Sequence, residues 1–196
     1  MPGANGIFVL SEIGGPLGER IRDVQRRFDP KLARETPPHV TLVGSSGVGP
    51  IVPSTPVERI RDALKPIADT TPVLELPFER PHRFMQTNIV VLPLDPHGPL
   101  RRLHDRIARS GLTFARAKFT FTPHATLSFY PTLPREAFRE LLAMRFDEPL
   151  RLDRMTVYYT RDPQPTVKLL ELPFEGAPSE SAERGARSAE RLSSSD

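Results

Sequence analysis

The chain has no cysteine among its 196 residues. That absence excludes disulfides, thiolate nucleophiles and cysteine-built metal sites, and it fits a reducing compartment. Nor is there an apolar run approaching the roughly 18 residues that a membrane-spanning helix needs. Near the N-terminus the only apolar stretch is the short one from Ile7 to Leu10. Ser11 and Glu12 follow it and no basic segment precedes it, so it does not read as a secretory leader. No membrane association and a cytoplasmic location are expected. Net charge is small as well: 27 basic against 24 acidic side chains leave +3. An excess of this size admits an anionic substrate without calling for nucleic acid, and most arginines alternate with acids as they do on a solvated surface.

Proline is what the chain has in quantity, with 23 residues. Usage well above the roughly 5% average predicts many short elements with firm stops. A hydrophobic fraction of 38% and a charged fraction of 26% suit one globular domain, with room for two lobes. From Glu175 onward the composition shifts to Gly, Ala, Ser, Glu and Arg without a repeating apolar face. Residues 1–175 are therefore expected to form the domain and residues 176–196 a disordered tail.

Within the domain, strands and helices alternate. Residues 6–13 read as a strand. Leu17, Ile21, Val24 and Phe28 fall on one helical face, and residues 38–43 make a short strand. Thr55-Pro56-Val57-Glu58 predicts a helix start with Thr55 as cap, continued by the stripe Val57, Ile60, Leu64, Ile67. Residues 73–84 and 88–94 look like paired strands around a loop containing Pro81 and His82. Leu100, Leu103 and Ile107 mark a third helix closed by Ser110-Gly111. Residues 114–130 form a long extended segment, broken near 115–118 or Pro123. Pro134 opens a fourth helix, and residues 150–160 and 167–174 close the domain as strands. The class is mixed α+β, with helices interrupting mostly antiparallel strands.

One pattern occurs twice. Pro38-His39-Val40-Thr41-Leu42 returns as Pro123-His124-Ala125-Thr126-Leu127. Each copy lies on an expected strand with helical segments before and after, as in a duplicated unit folded about a pseudo-two-fold axis. Side chains alternate across a strand, so each His shares a face with its Thr about 7 Å further along. In the second copy Thr120, Thr122, His124, Thr126 and Ser128 are expected on one face, and Phe119, Phe121, Ala125, Leu127 and Phe129 on the other. Folding the copies together gathers two imidazoles and two hydroxyls around one point. A neutral His can then take the proton of an attacking water while a protonated His supplies the leaving oxygen, since both forms exist near neutrality. Thr41 and Thr126 can donate to the non-bridging phosphate oxygens. A single His-x-Thr is common and usually structural; its repetition with flanking Pro and Leu is what gives the pair meaning.

On these residues the chain resembles the two-histidine (2H) phosphoesterases, which include the 2′-5′ RNA ligase-like proteins and the 2′,3′-cyclic nucleotide phosphodiesterases. Their signature of two His-x-Thr/Ser-x motifs is matched by His39-Val40-Thr41-Leu42 and His124-Ala125-Thr126-Leu127. The resemblance runs over about residues 4–175. It implies a bilobal α+β fold with antiparallel sheets lining a central cleft and helices outside. It also implies metal-independent opening of 2′,3′-cyclic phosphates on RNA ends or nucleotides, with no cofactor, His39 and His124 catalytic, and Thr41 and Thr126 on the phosphate. Many RNA ligase-like members carry Arg five positions after the second His, where this chain has Phe129. The run Val43-Gly44-Ser45-Ser46-Gly47 looks more like the cyclic phosphodiesterase branch.

Other residues are weaker candidates. Phe84, Phe129, Tyr130 or Tyr159 could stack on a base, with a place in the core as the alternative. Arg80, Arg83 or Lys118 could meet phosphate. Residues 44–49 look like a phosphate-cradling loop but lack a Walker ending, so a flexible rim is expected there. His82, His97 and His104 are expected at the surface or in loops, with no zinc-site pattern. The expected molecule is a monomer acting on RNA or a nucleotide with a cyclic phosphate. A 2′-5′ RNA ligase and a non-catalytic nucleotide or RNA binder are the alternatives.

Overall fold

The computed structural model describes residues 5–177 except 85, 86, 131, 162 and 163. The segment expected to be a disordered tail thus lies, beyond Ala177, outside the described residues.

The first half runs β1 (Gly6–Glu12), α1 (Gly15–Phe28), α2 (Pro30–Glu35), β2 (His39–Val43), α3 (Val57–Asp69), β3 (Leu74–Leu76), β4 (His82–Arg83) and β5 (Val90–Pro93). The second runs α4 (Pro99–Ala108), β6 (His124–Ser128), α5 (Arg135–Ala143), β7 (Leu150–Leu152), β8 (Arg154–Arg161) and β9 (Gln164–Pro173). Seven strands form one antiparallel sheet in the order β4-β5-β6-β2-β1-β8-β9, and β3 pairs with β7 in a separate two-stranded sheet. This is the mixed helix and antiparallel-sheet class expected. Both sheets are open, and the two motif-bearing strands, β2 and β6, are immediate neighbours.

One face of the large sheet is apolar. Val40, Leu42, Ala125 and Leu127 on β2 and β6 are all 1% exposed or less. The apolar stripes of the helices join the same core: Leu17, Ile21 and Phe28 of α1, Ile60, Leu64 and Ala68 of α3, and Leu100, Leu103 and Ile107 of α4. Burial of those stripes is the main drive for the fold.

Three local expectations need correction. Thr55 does not cap α3: the cap residue is Pro56, with no side-chain hydrogen bond, and Ile60 N–H reaches the Pro56 carbonyl at 3.1 Å. Residues 73–84 are not one strand. Leu74–Leu76 leaves to pair with β7, and only His82–Arg83 pairs with Val90 and Val91. Pro77 and Pro81 cannot donate to a ladder, so the run breaks between them. Of residues 114–130 only His124–Ser128 is strand. The part before it is laid along residues 44–52, through Gly49 N–H to Ala115 carbonyl (2.9 Å), Gly47 N–H to Phe119 carbonyl (2.9 Å) and Thr122 N–H to Ser46 Oγ (3.2 Å). The glycine- and serine-rich rim is therefore tied at several points.

Helix α2 was not among the expected elements. Its start was visible in Asp29-Pro30, an acidic cap followed by proline at the first helical position.

Candidate active site

The pairing of β2 with β6 builds the site. Val40 is opposite Ala125 in an antiparallel register. Continuing that register one residue each way sets His39 opposite Thr126 and Thr41 opposite His124. The four side chains lie on the face opposite to the buried Val40 and Ala125, and all four are half-buried. Opposed side chains in such a pair have Cβ atoms about 5 Å apart and diagonal ones about 7–8 Å. Each imidazole thus has one hydroxyl across from it and one along its own strand. The two imidazoles are diagonal neighbours, and the local two-fold axis passes through the Val40–Ala125 pair. The four residues named from the motif are thus brought to one place.

Each ring is oriented in the same way. His39 Nδ1 lies 2.7 Å from the Pro37 carbonyl, and His124 Nδ1 lies 2.8 Å from the Thr122 carbonyl. A carbonyl oxygen only accepts, so Nδ1 carries hydrogen in both rings, and in the neutral state the lone pair is on Nε2. Burial pushes both imidazoles below their ordinary value of 6.5. The environments then differ. His39 is opposite Glu12 on its other side, and that carboxylate partly offsets the effect of burial. His124 is opposite Pro93, and the charges of His39 and His82 lower it further. The Phe84 ring packs on His124 at 4.8 Å between centroids, tilted 39°.

These residues line a cleft of about 680 Å³. Ser45 and Ser46 border it from the rim loop, and Phe8 and Tyr158, opposite one another on β1 and β8, border it from the far side. The Tyr158 hydroxyl donates to Glu12, which Lys168 Nζ also meets at 3.2 Å. Burial and that bond push the tyrosine up to about 12, so it stays a donor.

Several expectations are sorted by this geometry. Phe84, Phe129 and Tyr130 line the cleft; Tyr159 does not, and its neighbour Tyr158 does. Phe119 and Phe129, assigned to the apolar face, also border the cleft, while Ser128 is fully buried. An irregularity in the β5–β6 register, between the Val91–Thr126 and Val90–Ser128 pairs, ends the simple alternation, and residues 119–123 are not strand. Arg80, Arg83 and Lys118 are not in the cleft wall. Arg83 instead donates to Thr87 and Asn88. His82 and His97 are exposed, but His104 is a core residue, 3% exposed. Its Nδ1 lies 2.7 Å from the Leu42 carbonyl and its ring stacks on Phe121 at 4.1 Å, bracing β2 from behind. Among the described residues no three His, Asp or Glu side chains gather to hold a metal ion. No helix there is long and apolar enough to cross a membrane.

Sequence reasoning missed α2 and what it brings. Asp29, 1% exposed, accepts Leu32 N–H at 3.0 Å on one oxygen, and Phe129 N–H (2.7 Å) and Tyr130 N–H (2.8 Å) on the other. This buried carboxylate staples α2 to the end of β6. Gln25, on α1, ties that helix to β6 as well, donating to the Thr126 carbonyl at 2.8 Å.

Comparison with known proteins agrees with this architecture. A family model described as the 2′-5′ RNA ligase superfamily matches residues 14–164. A Geobacillus kaustophilus protein, named only provisionally as a phosphoesterase, is 30% identical over 114 residues, which is 56% of this chain and 62% of the relative. A second, from Geobacillus sp. strain WCH70, matches to the same extent, so the chain spans under two-thirds of the length of these relatives. Among solved structures, Escherichia coli LigT complexed with 3′-AMP is 19% identical with a TM-score of 0.54, over 87% of this chain and 98% of LigT. The TT0787 protein of Thermus thermophilus is 14% identical with a TM-score of 0.59, over 88% and 99%. At such identities these two show a shared fold. With the family model matching well over half of its residues, the chain belongs to the 2′-5′ RNA ligase superfamily of two-histidine phosphoesterases.

Proposed function

We propose that this protein hydrolyses 2′,3′-cyclic phosphates on RNA ends or nucleotides without a metal ion. The observation that carries the proposal is the β2–β6 register: each histidine is opposite the other motif's threonine, on the cleft side of the sheet. Water attacks phosphorus as one neutral imidazole takes its proton at Nε2. The bond from phosphorus to one ribose oxygen breaks, and the other imidazole, protonated, donates to that oxygen. The product is a ribose with one free hydroxyl and one phosphomonoester. Thr41 and Thr126 donate to the non-bridging oxygens, where negative charge must be held.

The asymmetry around the rings supports one division of labour. Glu12 favours the charged form of His39, which is assigned as the acid, and the charges of His39 and His82 disfavour that of His124, which is assigned as the base. Family membership supports a phosphoesterase or ligase type of chemistry, and the nucleotide bound to LigT supports a nucleotide-bearing substrate. The test is incubation with 2′,3′-cyclic mononucleotides and RNA ending in a cyclic phosphate, in EDTA. Turnover is expected, with His39→Ala and His124→Ala each losing about 10²–10⁴-fold. Failure on every substrate, or full activity in either variant, would overturn the assignment. Joining of RNA halves in place of hydrolysis would identify the ligase reaction instead.

A further inference from the structure

On the reading above, the four motif residues serve one phosphate. Lys31 and Arg34, both on α2, are the lysine and arginine of the same cleft wall. The Lys31 ammonium sits 3.9 Å above the Tyr130 ring and 3.7 Å from Glu35. Glu35 is also occupied by the Tyr130 hydroxyl at 2.5 Å, so its charge is shared. Arg34 has no ion-pair or hydrogen-bond partner among the described residues. A six-residue helix is marginal by itself. Here Asp29 holds it to Phe129 and Tyr130 through a carboxylate shielded from water. The result is a fixed basic ledge joined to His39 through the short segment Thr36-Pro37-Pro38.

We propose that Lys31 and Arg34 form a subsite for the phosphodiester that precedes the terminal nucleotide of an RNA strand. The inference rests on the cyclic-phosphate reading above and chooses between its two substrate classes. A nucleoside 2′,3′-cyclic phosphate carries one phosphate, which the histidines and threonines would take, leaving the ledge without an anion. An oligonucleotide end carries a second phosphate on the 5′ side of the same ribose. An exposed guanidinium with no carboxylate partner suits that second anion, because guanidinium binds phosphate in a fork and gives up little hydration to do so. The ledge thus favours RNA ends over free nucleotides.

The experiment measures equilibrium binding, which needs no turnover. A nucleoside 3′-monophosphate and a short oligoribonucleotide with a 3′-phosphate are titrated against wild type, Lys31→Ala, Arg34→Ala, the double variant and Arg34→Lys. Wild type is expected to prefer the oligonucleotide by roughly tenfold. The double variant should lose that preference and keep its mononucleotide affinity within about twofold. Its log Kd against log salt should flatten by about 0.7 per cation removed, while Arg34→Lys, which keeps the charge, should keep the slope. Equal affinity of the wild type for both ligands would overturn the subsite, as would variants that weaken both ligands alike. A protein that shows the ledge effect yet opens no cyclic phosphate would sink the hydrolase reading and keep this one.

Discussion

Replacing Asp29 with asparagine tests whether one buried carboxylate holds the cleft wall together. Its two oxygens accept three backbone N–H groups at 2.7–3.0 Å, with the side chain 1% exposed. Asparagine offers one acceptor oxygen and one amide nitrogen. Either the nitrogen meets Phe129 and Tyr130 N–H, donor against donor, or it turns to Leu32 N–H and α2 loses its cap. The second arrangement is cheaper. It forfeits one cap, worth about 1 kcal/mol, and the charge assistance on two further bonds, each worth on the order of 1 kcal/mol. A loss of about 2–4 kcal/mol follows. At about 2–4 °C per kcal/mol for a chain of this size, the midpoint should fall on the order of 10 °C. Urea unfolding with linear extrapolation measures the free energy and calorimetry the midpoint. Asp29→Ala should cost at least as much. If both variants unfold within about 0.5 kcal/mol of wild type, the three bonds do not carry the energy assigned to them, and α2 is held by something else.

Rate against pH should follow a bell, with limbs pulled to the acid side because burial lowers both imidazoles. The two limbs belong to the coupled pair. With His39 as the acid, Glu12→Gln should move the alkaline limb to lower pH and leave the acid limb nearly in place; an unmoved alkaline limb would reject that role. Stability should depend on pH in a matching way. A histidine whose folded value is depressed favours folding fully above 6.5, and that contribution is lost as pH falls from 6.5 through the lowered folded values. Three histidines share this sign, so thermal midpoints should fall as pH drops below about 6.5. Gly47→Ala should destabilise by about 1–3 kcal/mol, measured by urea unfolding: φ is +74° and a Cβ would lie 2.1 Å from His104 Nε2. His104 cannot yield readily, being bonded to Leu42 and stacked on Phe121. A neutral outcome would mean that the rim loop shifts freely.

Much of this protein was determined by local pattern. The apolar stripes of α1, α4 and α5 and the punctuation of Pro134 and Gly111 depend on neighbours a few residues apart, and the sequence records such relations directly. The repeated Pro-His-x-Thr-Leu, with its period of two, was enough to name His39, Thr41, His124 and Thr126 and to give each pair a common strand face. It could not say which strands would be neighbours. Strand pairing is chosen by burial of whole faces across long separations, and the run around residues 73–84 was divided between two sheets on that basis. The same non-local choice put Glu12 beside His39, Tyr158 on Glu12, Asp29 against Phe129 and Tyr130, and His104 behind β2. Each of these contacts joins residues far apart along the chain, where no periodic signal reaches. The sequence by itself thus determined which groups are available for the chemistry. The tertiary structure decided their partners, because only a closed core fixes which polar groups share a low-dielectric cleft and so differ in their hold on a proton.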